Sequence, residues 1–278
     1  MDWGPSLALA VMVCAAPRSA QVTSASVSAI EAHQQSLFEQ VAPSVVFISS
    51  SRGFGSGLLV SSDGLLLTNR HVVGDEGHVN VVLHSGTTLQ GEVVTRHETL
   101  DLALLRIPGK EQPVLPWADL RSLRVGSWVA SVGHGQGGAW TFTTGMVSNI
   151  YPSGAERPVF QTQIPLNPGA SGGPILDKDG QVVGIVVAGM EGSNNINFAI
   201  KADVVLRAFD QLAPLCNCLV VTTERGVPVF VDGAMAGKGP RVLVSIDEGI
   251  HDVFAVVGGE KVERTVQWPE EQSVELLP

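Results

Sequence analysis

The sequence predicts an all-β fold, and three observations lead there. Charged residues make up only 16% of the 278 residues, so the Glu, Lys and Arg that build surface helices are scarce. Glycines number 31 and prolines 16, and they punctuate the chain at short intervals. Between them lie apolar runs of strand length, rich in Val, Ile and Leu. Hydrophobic residues reach 44%, enough for a sizeable core in one large domain or two modest ones.

Taken in order, residues 1–20 read as an export signal. The apolar stretch 7–16 is about ten residues long, half of what a bilayer crossing needs. Small residues follow at Ala15, Ala16, Ser19 and Ala20. The stretch departs from the usual signal, since Asp2 precedes it and no Lys or Arg does; an ordinary frayed N-terminus is the alternative. Val13 ahead of Cys14 argues against a lipoprotein anchor. Residues 21–29 are small and polar, as in a linker. Ser28-Ala29-Ile30-Glu31 has the form of a capping box, and Ile30, Leu37, Phe38 and Val41 then recur at helical spacing up to Pro43. That pattern predicts one amphipathic helix packed on the first set of strands that follows.

Strand patterns come next, at 45–49, 57–60, 65–68, 79–83, 88–94 and 102–107, and again at 125–133, 141–151, 159–164, 174–176, 182–188 and 196–200. A helix over 202–212 carries Val204, Val205, Ala208 and Leu212 and ends at Pro214. Beyond it a third unit, 214–278, alternates as a small β-sandwich around Val220 and over 227–233, 241–246, 251–257 and 261–268. Cys216 and Cys218 are too sparse for a metal site. As i and i+2 of a strand they would close a poor disulfide, so two small residues at a domain junction are the simplest reading; an intermolecular or unusual local disulfide stays open for an exported chain.

The chemistry centres on Asn167-Pro168-Gly169-Ala170-Ser171-Gly172-Gly173-Pro174. A serine between glycines on a tight turn can hold its hydroxyl out of the sheet while backbone N–H groups converge on one spot, as acyl transfer requires. Taken alone, a plain structural turn is the better reading of such a segment. Two more segments shift the balance: Leu66-Leu67-Thr68-Asn69-Arg70-His71-Val72-Val73 and Thr99-Leu100-Asp101-Leu102-Ala103-Leu104-Leu105. A serine hydroxyl needs a general base, and the base needs an orienting carboxylate. His71 and Asp101 supply both, in the chain order His, Asp, Ser of the double-barrel type rather than the α/β-hydrolase or subtilisin order.

The segments Gly55-Ser56-Gly57, Thr68-Asn69-Arg70-His71-Val72, Asp101-Leu102-Ala103-Leu104, the turn 167–174 and Phe198-Ala199-Ile200 appear in one order. Over residues 30–213 the chain thereby resembles the HtrA/Deg group of trypsin-fold serine peptidases. The resemblance implies a chymotrypsin-like double β-barrel, six strands to each barrel, with the site between them. It implies Ser171 as nucleophile, His71 as base, Asp101 as its orienter, and the N–H groups of Gly169 and Ser171 as the oxyanion hole. Pro165 and Leu166 would floor the primary pocket and Ile196 and Phe198 wall it. Val187-Ala188-Gly189 would pair with substrate as an added strand. With no acidic residue, Thr or His in that pocket, an aliphatic P1 preference is expected. In the resembled family the leading helix often supports trimer contacts, which makes Phe38 a candidate homo-oligomer contact; a plain core contact is the simpler role. Residues 229–233, Gly237 and Asp247-Glu248-Gly249 resemble a PEGA-type module of bacterial envelope and signalling proteins, which offers an envelope partner. The stretch 214–278 is short for a PDZ domain. One departure stands out: Ala170 replaces the family's Asn and has no side chain with which to order the oxyanion loop.

The expectation is an exported serine endopeptidase of the bacterial periplasm or cell envelope. It would act on protein or unfolded polypeptide substrates, in envelope quality control, with no cofactor or metal. A non-hydrolytic peptide-binding protein retaining the fold is the alternative. The net charge of −10 and pI near 5.1 argue against nucleic acid and anionic membrane as partners. Competing residues read blandly. His33, His78, His84 and His97 are expected to face solvent, and Asp63 sits in a Ser-Asp-Gly hairpin turn. His134 lies in Gly133-His134-Gly135-Gln136-Gly137-Gly138, a Gly-rich loop that no phosphate-binding helix follows.

Overall fold

The computed structural model of the protein describes residues 1, 23–137, 139–150, 158–189 and 196–278. The expected export signal lies outside the described residues apart from Met1, as do Gly138 and Tyr151. Residues 1–35 and 36–278 form two compact units. In the first, helix α1 (Ser24–Val41) opens four residues before the expected capping box. Thr23 supplies the cap instead, its hydroxyl accepting from the Ser26 N–H at 3.2 Å, so residues 24–29 are helix rather than linker. Ile30, expected on the buried face, is 58% exposed.

In the second unit, the C-terminal turn of α1 buries Leu37 and Val41, which close over Gly180. The first barrel comprises β1 (Val45–Ser50), β2 (Gly53–Leu59), β3 (Leu65–Thr68), β4 (His78–Val82), β5 (Thr88–Arg96) and β6 (Ala103–Arg106), closed in the order β1-β2-β3-β6-β5-β4. The second comprises β7 (Trp128–Gly133), β8 (Thr141–Asn149), β9 (Val159–Thr162), β10 (Pro174–Leu176), β11 (Val182–Gly189) and β12 (Asn197–Lys201), closed as β10-β11-β12-β9-β8-β7. Each barrel is closed, so neither has a full-length edge strand, although the end of β11 runs past its β10 partner. Gly180 lies in the β10–β11 turn, so the end of α1 reaches the second barrel as well as the apolar layer that Val45, Leu58 and Leu65 of the first barrel share. Phe38 meets Phe142 edge to face at 6.1 Å, the core contact weighed above.

Period-2 alternation sorts the strands between two cores. Val46, Ile48, Leu59, Leu66, Val81 and Leu105 fill the first barrel. Their alternates, Val45, Leu58, Leu65, Leu67 and Leu104, face an apolar layer shared with Val132 and Ile185 of the second barrel. Each such side chain contributes roughly 1.5–3 kcal/mol by leaving water. The Trp140 indole adds a cross-link between barrels, donating to the Val45 carbonyl at 2.9 Å.

Helix α3 (Ala202–Cys216) lays Val205, Phe209 and Leu212 on the same layer. Pro214 does not end it. In the last turn a proline forfeits a single backbone bond, and the stop falls at Asn217, whose left-handed φ of 51° turns the chain. That turn corrects the reading of the cysteines as strand neighbours. Cys216 ends the helix and Cys218 begins the next strand, both are buried, and a local disulfide joins them.

The remaining strands are β13 (Cys218–Thr223), β14 (Pro228–Val231), β15 (Ala234–Lys238), β16 (Arg241–Ser245), β17 (Gly249–Val257), β18 (Glu260–Trp268) and β19 (Ser273–Leu276). They form two sheets, β16-β13-β19 and β15-β14-β17-β18, packed around Val221, Val229, Val253 and Trp268. Strands β15 and β19 escape the sequence pattern, because Ala-Met-Ala-Gly-Lys and Ser-Val-Glu-Leu lack a β-branched run.

The sandwich is fastened to the first barrel and the segment after it. Asp63 is more than a turn residue: its Oδ2 accepts from the Ser245 N–H at 2.9 Å. The adjacent Ser62 N–H donates to the Ala236 carbonyl at 2.9 Å. Arg106 donates to Ser245 Oγ at 2.7 Å, and Arg225 to the carbonyls of Trp117 and Ala118 at 3.0 and 2.5 Å. His33, His78 and His84 are exposed, but His97 is buried, its Nδ1 accepting from the N–H groups of Thr99 and Leu100 just ahead of Asp101. A short loop that must turn back on itself needs an acceptor for those donors, and the ring provides it. No helix among the described residues is long and apolar enough to cross a membrane.

Candidate active site

Between β3 and β4 the chain turns through Asn69 into the single helical turn α2 (Arg70–Val73), which carries His71. Asn69 is fully buried and donates from Nδ2 to the Asp101 carbonyl at 2.7 Å, fixing the loop opposite. Both oxygens of Asp101 then serve His71. Oδ1 accepts from the His71 backbone N–H at 3.0 Å and Oδ2 pairs with the ring Nδ1 at 2.6 Å. A carboxylate there sets the proton on Nδ1 and leaves Nε2 as a bare lone pair. Burial works to raise the Asp101 pKa, but the hydrogen bonds and charge of His71 outweigh it and hold the carboxyl below its usual range.

Two glycines bring Ser171 to this pair from a hundred residues away. A Cβ on Gly55 would lie 2.6 Å from a Val72 methyl and 3.2 Å from the Ser171 carbonyl oxygen. A Cβ on Gly172 would meet Thr68 Oγ1 at 2.3 Å and the Asn69 nitrogen at 3.1 Å. Glycine at both places lets the serine turn seat against the turn that carries His71. No hydrogen bond joins Ser171 to His71. The Ser171 hydroxyl donates instead to the Val187 carbonyl at 3.1 Å. A β-bulge makes that carbonyl available: Val186 pairs with Ala199 and Ala188 with Phe198, leaving Val187 without a cross-strand partner.

Around Ser171 the loop's backbone donors divide in two. The N–H groups of Ala170, Gly172 and Gly173 bond to the carbonyls of Asn167, Val186 and Ala170, each at 3.0 Å. Those of Gly169 and Ser171, the expected oxyanion donors, carry no bond among the described residues. Ala170 is buried at 6% exposure and makes no polar contact with its methyl group. Support comes from β2, where the Ser56 N–H donates to the Ser171 carbonyl at 2.8 Å and the Ser56 hydroxyl to the Gly169 carbonyl at 2.7 Å. Sequence reasoning missed the hydroxyl; its one signal is a polar residue framed by two glycines in an apolar strand.

The expected pocket residues separate. Pro165 is exposed, and with half-buried Leu166 it lines a small cavity that Thr141, Thr143 and Ala170 complete, which corrects the expectation that this pocket holds no Thr: β8, far off in sequence, supplies two. Ile196 and Phe198 are half-buried at the start of β12, beside the backbone of Ala188 and Gly189. The side chains of Ala188 and Gly189 lie outside the described part. Among the described residues no three His, Cys, Asp or Glu side chains come together as metal ligands would.

Comparison with known proteins agrees with this fold. The family described as trypsin-like peptidase domain matches residues 55–185. A probable periplasmic serine endoprotease DegP-like of Pseudomonas putida (strain GB-1) is 37% identical over 168 residues, 58% of this chain and 35% of the relative. Its namesake in Chlamydia pneumoniae is 38% identical over 165 residues, 57% of this chain and 34% of that one. The chain thus spans about a third of the length of the curated relatives it matches. Among solved structures, an inactive mutant form of Rv3671c from M. tuberculosis H37Rv aligns with TM-score 0.58 and 26% identity, over 64% of this chain and 90% of that one. The serine endoprotease from Yersinia pestis aligns with TM-score 0.59 at 21% identity, over 84% and 96%, and shares the fold. Residues 55–185, with His71, Asp101 and Ser171 among them, match the trypsin-like peptidase domain model and are similar to DegP-like serine endoproteases.

Proposed function

We propose that the protein is an exported serine endopeptidase that hydrolyses peptide bonds in protein substrates. The observation that carries this is the set of groups left for chemistry: a histidine oriented through both oxygens of one carboxylate, and two unspent N–H groups flanking a serine. In the reaction, Ser171 leaves the Val187 carbonyl, gives its proton to His71 Nε2 and attacks the substrate carbonyl carbon. The oxyanion settles on the N–H groups of Gly169 and Ser171. Asp101 stabilises the imidazolium, which then protonates the leaving amine as the C–N bond breaks. Water, deprotonated by the same imidazole, cleaves the acyl-enzyme and restores the serine.

Substrate adds as a strand along Val187-Ala188-Gly189, with an aliphatic P1 side chain directed toward Leu166 and Phe198. Unfolded polypeptides suit this mode, since only an extended segment can add to a sheet edge. The names of the similar bacterial proteins favour the periplasm, and we read the role there as envelope quality control. The C-terminal sandwich, 214–278, we read as a PEGA-like module contacting an envelope partner, and Phe38 as a core residue first.

A second reading is a peptide-binding protein that does not hydrolyse. It is favoured by the bond from Ser171 to Val187 instead of His71. Labelling with a serine-reactive fluorophosphonate separates the two. Wild type should label and cleave casein and Ser171→Ala should do neither; a folded wild type that does neither would establish the binding protein.

A further inference from the structure

We propose that Ser56 and His134 are positioning residues of this peptidase, a buried clamp that holds the oxyanion loop in working shape where Ala170 cannot. The inference rests on the peptidase reading and deepens it.

Fixing a carbonyl fixes the N–H across the same planar peptide, because the two point in opposite directions. Each peptide that bears on the oxyanion hole has its carbonyl tied down. The Pro168 carbonyl accepts from the Gln136 N–H at 2.6 Å, which sets the N–H of Gly169. The Ala170 carbonyl accepts from the Gly173 N–H at 3.0 Å, which sets the N–H of Ser171. Between them the Gly169 carbonyl is held by the Ser56 hydroxyl at 2.7 Å. Gly169 has a φ of 101° and no side chain to resist a flip, so this tie, with the Ala170 N–H bond to Asn167 at the other end of the same peptide, keeps the middle of the loop formed.

Ser56 is fully buried, and its oxygen has three partners. It donates to Gly169, accepts from the His134 backbone N–H at 3.0 Å, and lies 3.1 Å from His134 Nδ1. A hydroxyl has one proton. With that proton on the Gly169 carbonyl, Nδ1 must carry its own and donate to Ser56. The Nε2 atom is then a bare lone pair, buried without a partner. The ring is packed edge-on against Trp140 at 4.7 Å and Phe47 at 5.2 Å, surroundings that suit only the neutral form. Burial accordingly pushes the His134 pKa down to about 4. The hydroxyl is therefore aimed from two sides and has one direction left in which to donate, toward the loop.

The test compares wild type, Ser56→Ala, His134→Leu and His134→Asn with one chromogenic peptide substrate, alongside thermal midpoints. Losing an oxyanion donor costs 10²–10³ in kcat elsewhere, so Ser56→Ala should lower kcat by about 10²-fold with KM within about twofold. His134→Leu should follow it in kcat. His134→Asn, whose amide can still donate to Ser56, should recover most of the loss. Binding of a peptide boronate, whose hydroxyl occupies the oxyanion hole, should weaken in step with kcat/KM. Should Ser56→Ala not fold, the two His134 variants decide, since they share the lost ring and differ in the donor. A folded Ser56→Ala with kcat near wild type, equal losses in His134→Leu and His134→Asn, or a change confined to KM would each overturn the clamp. A wild type that neither labels nor cleaves would instead sink the peptidase reading on which it stands.

Discussion

The hydroxyl of Ser171 rests on the backbone carbonyl of Val187, 3.1 Å away, at the one residue of β11 that a bulge leaves without a partner on β12. The same carbonyl is where an added substrate strand would place its P1 N–H. On the proposed peptidase reading, a substrate that donates there would displace the serine toward His71, making binding and arming one event. A peptide N-methylated at P1 cannot donate. It should lose about tenfold in kcat as well as affinity, measured against its unmethylated parent, because one hydrogen bond's worth of free energy is missing when the serine must move. A loss in KM alone would show that the serine turns without help.

Asp101 spends both oxygens on His71. Asp101→Asn keeps the shape, but an amide cannot accept through both positions, and the ring tautomer is released. We expect kcat to fall by about 10³–10⁴-fold with little change in thermal midpoint. A fall below tenfold would mean that Asn69 and the loop, not the carboxylate, hold the ring.

The barrels and the His71–Asp101 pair were legible because their signals are local. Strand β3 reads as three leucines ending at Thr68, and the base follows within one turn. What could not be read depends on register between distant strands. The Ser56 hydroxyl reaches a carbonyl 113 residues away, and no spacing in β2 reveals it. The bulge at Val187 likewise exists only relative to β12. His97 looked like a surface residue because it sits among polar neighbours, yet it is buried with its ring accepting from two backbone N–H groups; His134 looked like part of a Gly-rich loop, yet its ring is buried against Ser56.

Two histidines should give stability opposite slopes with pH. His134 is neutral when folded, with its pKa pushed down to about 4 from an ordinary 6.5. Below pH 6.5 the unfolded chain gains a proton that the folded one refuses, so stability falls as pH drops toward 4, by roughly 3 kcal/mol in all. His251 runs the other way. Its ring pairs with Asp232 at 2.7 Å, a bond that raises its pKa, so its contribution is present below pH 6.5 and fades as pH rises through the folded value. Asp232 is half exposed, which limits that gain to less than about 1 kcal/mol. Urea midpoints between pH 7 and 4 should flatten in His134→Asn and steepen in His251→Gln. An unchanged slope in His134→Asn would mean that this ring is not the group that acid attacks.

The sandwich should unfold together with the barrels. Asp63 and Ser62 tie the β2–β3 turn to β16 and β15, and Arg225 reaches the carbonyls of Trp117 and Ala118. The apolar layer between the barrels continues into Cys218, Val220 and Leu243. A module fastened by polar ties and a shared core cannot open alone without stranding both. Backbone amides of β3 and β17 should therefore exchange hydrogen with one common free energy of opening. Asp63→Ala, which leaves the Ser245 N–H without its acceptor, should lower both by about 1 kcal/mol. Faster exchange confined to β17, in wild type or variant, would show instead that the sandwich is an independent appendage.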